Sequence, residues 1–316
     1  MAVDSKVIYY FSGASYQQMK RDLNVDQLFS VYHERKMVTG LIQYRREHPE
    51  YTARIMLDSG SFSLYQKSKK ENLEVNWEEY MDDYLLFLDE WGDELECFVA
   101  CDDVPDPMNM NYDKAATTWK NYLYMVERLR PELQDKLIPV FHYGEDFDWL
   151  RNMLEYKHPD GRPIAYIGLA ISLEGTKSIR IAWARECMKI IANSSNPNVK
   201  THAFGVGVKS VLDHITVTST DATSWVKRAA YGMIAMNDRS VYVSDVQKLA
   251  ADNRYFGDHN TAFQEEVMKR IAQEGFTLEE LETSSEARAR YNILDTLDWL
   301  GRLTPHSDLT KTDLGW

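Results

Sequence analysis

The sequence predicts an α/β protein: a (β/α)8 barrel of the TIM type carrying a C-terminal helical extension. Three features carry that expectation. Short apolar runs recur along most of the chain, longer amphipathic stretches separate them, and a strongly charged helical segment without such runs closes the sequence. Alternation of this kind fits closed and open parallel sheets alike, so a doubly wound open sheet is the second architecture it allows. With 316 residues, 44% of them hydrophobic, the chain can bury a sizeable core, either as one large domain or as a domain plus an extension.

The strand-like runs are Val7–Phe11, Arg54–Leu57, Cys97–Ala100, Leu137–Phe141, Ala165–Leu169, Val199–Phe204, His214–Thr218 and Ser240–Val243. Most are rich in β-branched or aromatic residues, as strands buried on both faces should be. Helical stretches fall between them. Asn76–Trp91 opens on an Asn cap with a Glu three residues on, and Tyr80, Tyr84, Leu85 and Leu88 recur at helical spacing. Tyr112–Leu129, Phe147–Tyr156, Ser178–Ala192 and Ser224–Met236 read the same way, and the stretch before Pro131 must end near that proline. The barrel is expected over residues 1–257 and the helical extension over 258–316, with Thr304–Trp316 loosely held.

Composition narrows the function classes. A net charge of −13 argues against a generally basic nucleic-acid coat and leaves room for a local basic groove. The three cysteines, Cys97, Cys101 and Cys187, have no zinc-binding spacing, so no metal and no cofactor is expected. They suit a reducing cytoplasm. The N-terminal residues lack the apolar core of a signal peptide, and no run approaches the ~18 apolar residues of a membrane span.

In a barrel, function gathers where strands end. Those ends read Asp58-Ser59-Gly60-Ser61-Phe62, Asp102-Asp103-Val104-Pro105, His142-Tyr143-Gly144, Gly168-Leu169-Ala170, Phe204-Gly205-Val206-Gly207 and Ser219 to Trp225. Taken singly, each has an ordinary explanation. Asp58-Ser59-Gly60 suits a turn, Asp102-Asp103 a cap or solvated loop, His142 a satisfied polar residue, Gly205 and Gly207 a tight turn, and Asp221 a helix cap. FGVG lacks the spacing of a dinucleotide fingerprint.

Taken in order, the ends resemble the tRNA-guanine transglycosylase family. LDSGSFSLY is similar to its Asp-Ser-Gly-Gly-Phe/Tyr-Gln motif, and CDDVPDP to its Asp-x-Pro stretch. PVFHYGE stands where the family has Val-Gln-Gly-Gly, and YIGLAIS resembles Gly-Gly-Leu-Ala-Val-Gly. HAFGVG followed by TSTDATSW resembles its Gly-x-Gly strand end and nucleophile segment. The resemblance spans Val7 to Met236, and the DSG and DATSW pair is its most specific part. Ser61 replaces the family's second Gly, and His142 its Gln. The cysteine–histidine zinc site and an appended tRNA-binding domain are absent from the sequence. These departures point to the shorter, phage-type branch that modifies DNA, acting in a host cytoplasm, and away from a zinc-dependent dimer.

The resemblance implies replacement of guanine in DNA by a 7-deazaguanine through a covalent aspartyl-glycosyl intermediate. It implies Asp221 as nucleophile, Asp58 as acid/base and base-recognition group, and Asp102 or Asp103 as acceptor of the guanine amidine edge. Ser59, His142 and Gly205 would line the pocket, and Gly168 and Leu169 would offer backbone groups to the base. Phe62 and Tyr143 would stack on the base or pack in the core. A base within a duplex must be flipped out, and its phosphates need local cations. Lys67, Lys69, Lys70, Lys227 and Arg228 are the candidates, each equally readable as a solvated helix face. A tRNA-modifying enzyme, a nucleoside hydrolase and a non-catalytic binding subunit are the competing functions.

Overall fold

The computed structural model describes residues 7–72, 74–104, 113–171, 176–236, 239–244 and 255–301. Strands β1 (Ile8–Ser12), β2 (Gln27–Ser30), β3 (Ile55–Asp58), β4 (Cys97–Val99), β5 (Leu137–Ile138), β6 (Val140–His142), β7 (Tyr166–Ala170), β8 (Lys200–Phe204) and β9 (Ser219–Ala222) form one parallel sheet in the order β5-β4-β3-β2-β1-β9-β8-β7-β6. β5 and β6 are two halves of one stave interrupted at Pro139, which has no N–H to give. On one side Ala100 N–H donates to Ile138 O, and on the other Gly168 N–H donates to Pro139 O. The sheet therefore closes as eight staves, and the expected barrel is observed.

Helices α1 (Gln17–Asp22), α2 (Val31–Glu47), α3 (Ser61–Glu71), α4 (Trp77–Trp91), α5 (Asp113–Arg128), α6 (Pro131–Gln134), α7 (Phe147–Glu155), α8 (Lys177–Ala192), α9 (Lys209–Leu212) and α10 (Ser224–Ala230) surround it. The Asn76 side chain accepts from Glu79 N–H, the cap that the sequence announces for α4. Side chains alternate along each stave. Phe11, Leu57, Phe98, Phe141 and Leu169 face the helices, in the main hydrophobic cluster. Tyr10, Leu28, Met56, Val99, Val140 and Tyr166 face inward and fill the barrel.

Two strand expectations are corrected. Gln27–Ser30, a stave, carries no apolar run long enough to announce itself, and the stave read at His214–Thr218 lies at Ser219–Ala222. Ser240–Val243 is outside the barrel. It overlaps β11 (Arg239–Tyr242), which pairs antiparallel with β10 (Met233–Met236), where the helix expected over Ser224–Met236 has already ended. This hairpin shares a second hydrophobic cluster with α11 (Thr261–Gln273), α12 (Leu278–Thr283) and α13 (Ser285–Leu300), through Ile234, Val241, Val267, Ile271, Leu281 and Tyr291. The Asn292 side chain ties the two bodies, accepting from Ala235 N–H and donating to Trp225 O. The tail Thr304–Trp316 and Pro105 lie outside the described residues. Among the described residues, no helix is long and apolar enough to cross a membrane.

Candidate active site

The inward-facing positions at the C-terminal end of the staves carry polar side chains where the layer beneath is largely apolar. Tyr10 pairs in register with Asp221, and Ser30 with Asp58. With side chains alternating, Ser12, Asp58, His142 and Asp221 all belong to the inward set at this rim.

Asp221 is 9% exposed and surrounded by donors. Its Oδ2 accepts from Ser12 Oγ at 2.7 Å, and its Oδ1 from Gly205 N–H at 2.9 Å and from His202 Nε2 at 3.2 Å. Burial pushes this carboxyl up, but the donors outweigh it and hold it below the ordinary carboxylate range.

Asp58 stands among carboxylates. Burial and the neighbouring Asp102 push it up to about 7, against one hydrogen bond from Gly60 N–H, with smaller upward pushes from Asp221 and Glu34. That Asp102 and Asp221 both act on Asp58 joins β3, β4 and β9 into one electrostatic cluster. Gly60 takes a left-handed backbone (φ 74°), and a Cβ there would come within 2.4 Å of Tyr32 Cβ, so only glycine fits behind Asp58. Ser61 fastens the loops together. Its hydroxyl meets Ser59 Oγ at 2.9 Å and accepts from Asp102 N–H at 3.2 Å.

Asp102 and Asp103 part ways. Asp102 Oδ2 lies 2.9 Å from His142 Nε2, whereas Asp103 pairs with Lys114 at 3.0 Å and its N–H donates to Thr118 Oγ1. Of the two, Asp102 belongs to the cluster and Asp103 is engaged on the helix side.

His142 sits between two carboxylates, with Nδ1 3.0 Å from Glu145 Oε1. Burial pulls its pKa down, but the hydrogen bonds and charges of Asp102 and Glu145 outweigh that and push it up to about 9. It is an imidazolium at neutral pH with both N–H groups engaged. It therefore braces Asp102 rather than offering a free donor to a ligand, which corrects its expected role as a direct contact.

Three further expectations change. Gly168 lies within β7, its N–H given to Pro139 O. A Cβ on it would come within 2.4 Å of Phe204 Cε2, so the missing side chain makes room for the Phe204 ring crossing the barrel. Leu169, whose side chain is buried on the helix side, accepts at its backbone carbonyl from Ile171 N–H at 3.1 Å. Gly205 spends its N–H on Asp221. Tyr143 is half-buried and meets Trp183 edge-on at 5.7 Å, in the core, while Phe62 is 54% exposed at the start of α3. Ser59 is buried beneath the loop, its carbonyl accepting from Tyr80 Oη.

The cations divide similarly. Lys67, Lys69 and Lys70 are exposed on α3, with Lys69 Nζ 4.7 Å from the Tyr65 ring centroid. Lys227 is exposed on α10, whereas Arg228 donates to Ser240 Oγ and ties α10 to the hairpin.

His202, Ser12 and Glu145 are the site residues that the sequence reading missed. His202 and Ser12 have a usable signal: each is a polar residue at an inward position of a stave. Glu145 is a carboxylate three residues after a strand-end histidine. Among the described residues, no group of three or more His, Cys, Asp or Glu side chains is arranged to hold a metal ion. A cavity of about 600 Å³ between α4 and α5, lined by Trp77, Asn121 and Tyr124 among others, includes none of these carboxylates. No protein-family model matches the chain, and no curated protein matches it.

Proposed function

We propose that the protein exchanges guanine in DNA for a 7-deazaguanine through a covalent intermediate on Asp221. The observation that carries the reading is a pair of aspartates in one cluster, Asp221 buried and Asp58 part-buried, whose surroundings push their carboxyls in opposite directions. A base-exchange reaction needs that division: an ionised carboxylate to attack C1′ and a protonated carboxyl to give a proton to the departing base. The order of strand-end motifs, from DSGSF to TSTDATSW, supports guanine as that base.

The steps balance on these groups. An Asp221 oxygen forms a bond to C1′ as the C1′–N9 bond breaks, and the Asp58 proton goes to the leaving guanine. N9 of the incoming 7-deazaguanine then attacks C1′, the ester bond breaks, Asp221 returns to a carboxylate, and Asp58 takes the N9 proton. Two inversions give retention at C1′. Asp102, braced by His142, is the acceptor for the amidine edge of the base, and exposed Phe62 is the aromatic group available for stacking on it. The target nucleotide must leave the duplex to reach the staves' ends, with Lys67, Lys69, Lys70 and Lys227 as the exposed cations for its phosphates.

The net charge of −13 favours a second reading, hydrolysis of free nucleosides by the same carboxylate pair. One assay separates the readings. The protein is incubated with labelled guanine or a labelled 7-deazaguanine and either DNA or tRNA, and label in each polymer is measured alongside base released from free guanosine and deoxyguanosine. Incorporation into DNA is expected. Incorporation only into tRNA, or base release from nucleosides without exchange into either polymer, would overturn the reading.

A further inference from the structure

Beneath Asp221 a line of polar side chains runs through the barrel interior. His202, on β8, is fully buried, and its Nε2 faces Asp221 Oδ1. Its Nδ1 meets Ser219 Oγ at 2.5 Å, and Ser219 Oγ also meets Tyr166 Oη at 2.5 Å. Polar groups buried in an apolar barrel are costly unless each is satisfied, and here they satisfy one another across β7, β8 and β9. Two rings also flank the imidazole, Phe204 edge-on at 4.5 Å and Tyr10 from β1 at 6.1 Å. Among the described residues, Asp221 is the acidic group within hydrogen-bond distance of His202.

The two oxygens of Asp221 are unequal. An ionised carboxylate only accepts, so His202 must carry a proton on Nε2. Oδ1 then receives two donors, Gly205 N–H and His202 Nε2–H, and its in-plane lone pairs are both engaged. Among the described residues, Oδ2 receives the Ser12 hydroxyl alone, which leaves it a lone pair.

We propose that His202 is a positioning residue for Asp221: with Gly205 N–H it makes a two-donor cradle for Oδ1 and leaves Oδ2 as the attacking atom. The role rests on the base-exchange reading. In the ester, Oδ2 is bonded to C1′ and Oδ1 is the carbonyl oxygen, still in its cradle. When the incoming N9 attacks C1′ and the C1′–Oδ2 bond breaks, the electron pair returns to the carboxylate. The cradle stabilises that returning charge. The donors lower the energy of the free carboxylate as well, which restrains its attack. Loss of His202 should thus burden the second half-reaction more than the first.

The test compares His202→Leu, which removes the donor, with His202→Gln, whose amide nitrogen reaches about as far as Nε2. Single-turnover formation of the protein–DNA adduct is followed on denaturing gels, and its disappearance is followed after addition of excess 7-deazaguanine. In His202→Leu, adduct formation should stay within a few-fold of wild type while its disappearance slows by roughly 10–100-fold, the worth of one hydrogen bond to a charged group. His202→Gln should recover most of that loss. A parallel fall of both rates, unchanged disappearance in His202→Leu, or equal slowing in both variants would overturn the proposal. Nitrogen-15 spectra of the histidine-labelled protein supply a readout without turnover. The imidazole resonance lost in His202→Gln should show a proton on Nε2, and a proton only on Nδ1 would overturn the cradle. If wild-type protein forms no adduct with DNA at all, the base-exchange reading falls, while the nitrogen-15 result still decides the cradle.

Discussion

Asp221 and Asp58 are the same residue type, face the same barrel mouth and differ in everything that surrounds them. On the β9 side the chain supplies donors: a serine hydroxyl from β1, a backbone N–H after β8 and an imidazole from within β8. On the β3 side it supplies other carboxylates, with, among the described residues, a single N–H from Gly60 to offset them. The first environment favours the anion and the second the neutral acid. The fold thus divides one mouth into a region that favours a carboxylate anion and a region that favours a neutral acid, the division that the proposed base exchange would use, and neither state belongs to aspartate as such.

Removing the proposed attacking group should be the largest perturbation. Asp221→Asn should reduce base exchange to background and leave no adduct on a denaturing gel, with the fold retained because an amide keeps the shape and Ser12 can turn its hydroxyl. Its stability cost should be on the order of 2 kcal/mol at pH 7 from weakened charged hydrogen bonds. That contribution is present above a pH of about 4 and lost as pH falls through the lowered folded-state value.

Asp58→Asn should slow exchange by roughly 10²–10⁴-fold, the usual worth of a general acid. Its effect on stability should have the opposite sign. A carboxyl raised to about 7 holds its proton more tightly when folded, so its contribution is present below about pH 4 and lost as pH rises through 7. Asparagine escapes that loss. Thermal unfolding should show Asp58→Asn more stable than wild type at pH 8 and equal to it near pH 4. Destabilisation at pH 8 would break the comparison.

A smaller effect is expected at the brace. His142, raised to about 9, contributes stability that is present below about pH 6.5 and is lost as pH rises through 9. Glu145→Gln removes one of its two carboxylates. Denaturant titrations should then show a shallower loss of stability between pH 6.5 and 9, and steady-state assays should show KM for the base raised by about tenfold, or ~1.4 kcal/mol. The smallest contrast separates the neighbours Asp102 and Asp103. Asp103→Asn should change stability by less than about 1 kcal/mol, as for a partly exposed ion pair, and leave exchange kinetics near wild type. Asp102→Asn should impair exchange strongly. Equal kinetics for the two variants would contradict the division seen at this loop.

The sequence makes the barrel readable where its staves are apolar. Ile8–Ser12, Cys97–Val99 and Tyr166–Ala170 each follow an apolar run closely. Ser219–Ala222 is hidden because its inward residues, Ser219 and Asp221, belong to the polar line that serves the site, so the apolar run just before it draws the assignment instead. Ser240–Val243 looks like a stave because a pattern of apolar residues does not name its pairing partner, and that partner, Met233–Met236, sits within a stretch that reads as helix. The strand-end aspartates are legible as positions. Their unequal surroundings are not, since Ser12 reaches Asp221 across 209 residues and His142 reaches Asp102 across 40.

The most direct test is the protonation of the two aspartates themselves. Infrared difference spectra across pH 3–9, taken for wild type, Asp58→Asn and Asp221→Asn, identify the C=O stretch of a protonated carboxyl with each residue. The account expects a band that titrates near 7 and disappears in Asp58→Asn, and no protonated band from Asp221 above a pH of about 4. An Asp58 band titrating near 4, or a proton on Asp221 at neutral pH, would contradict it.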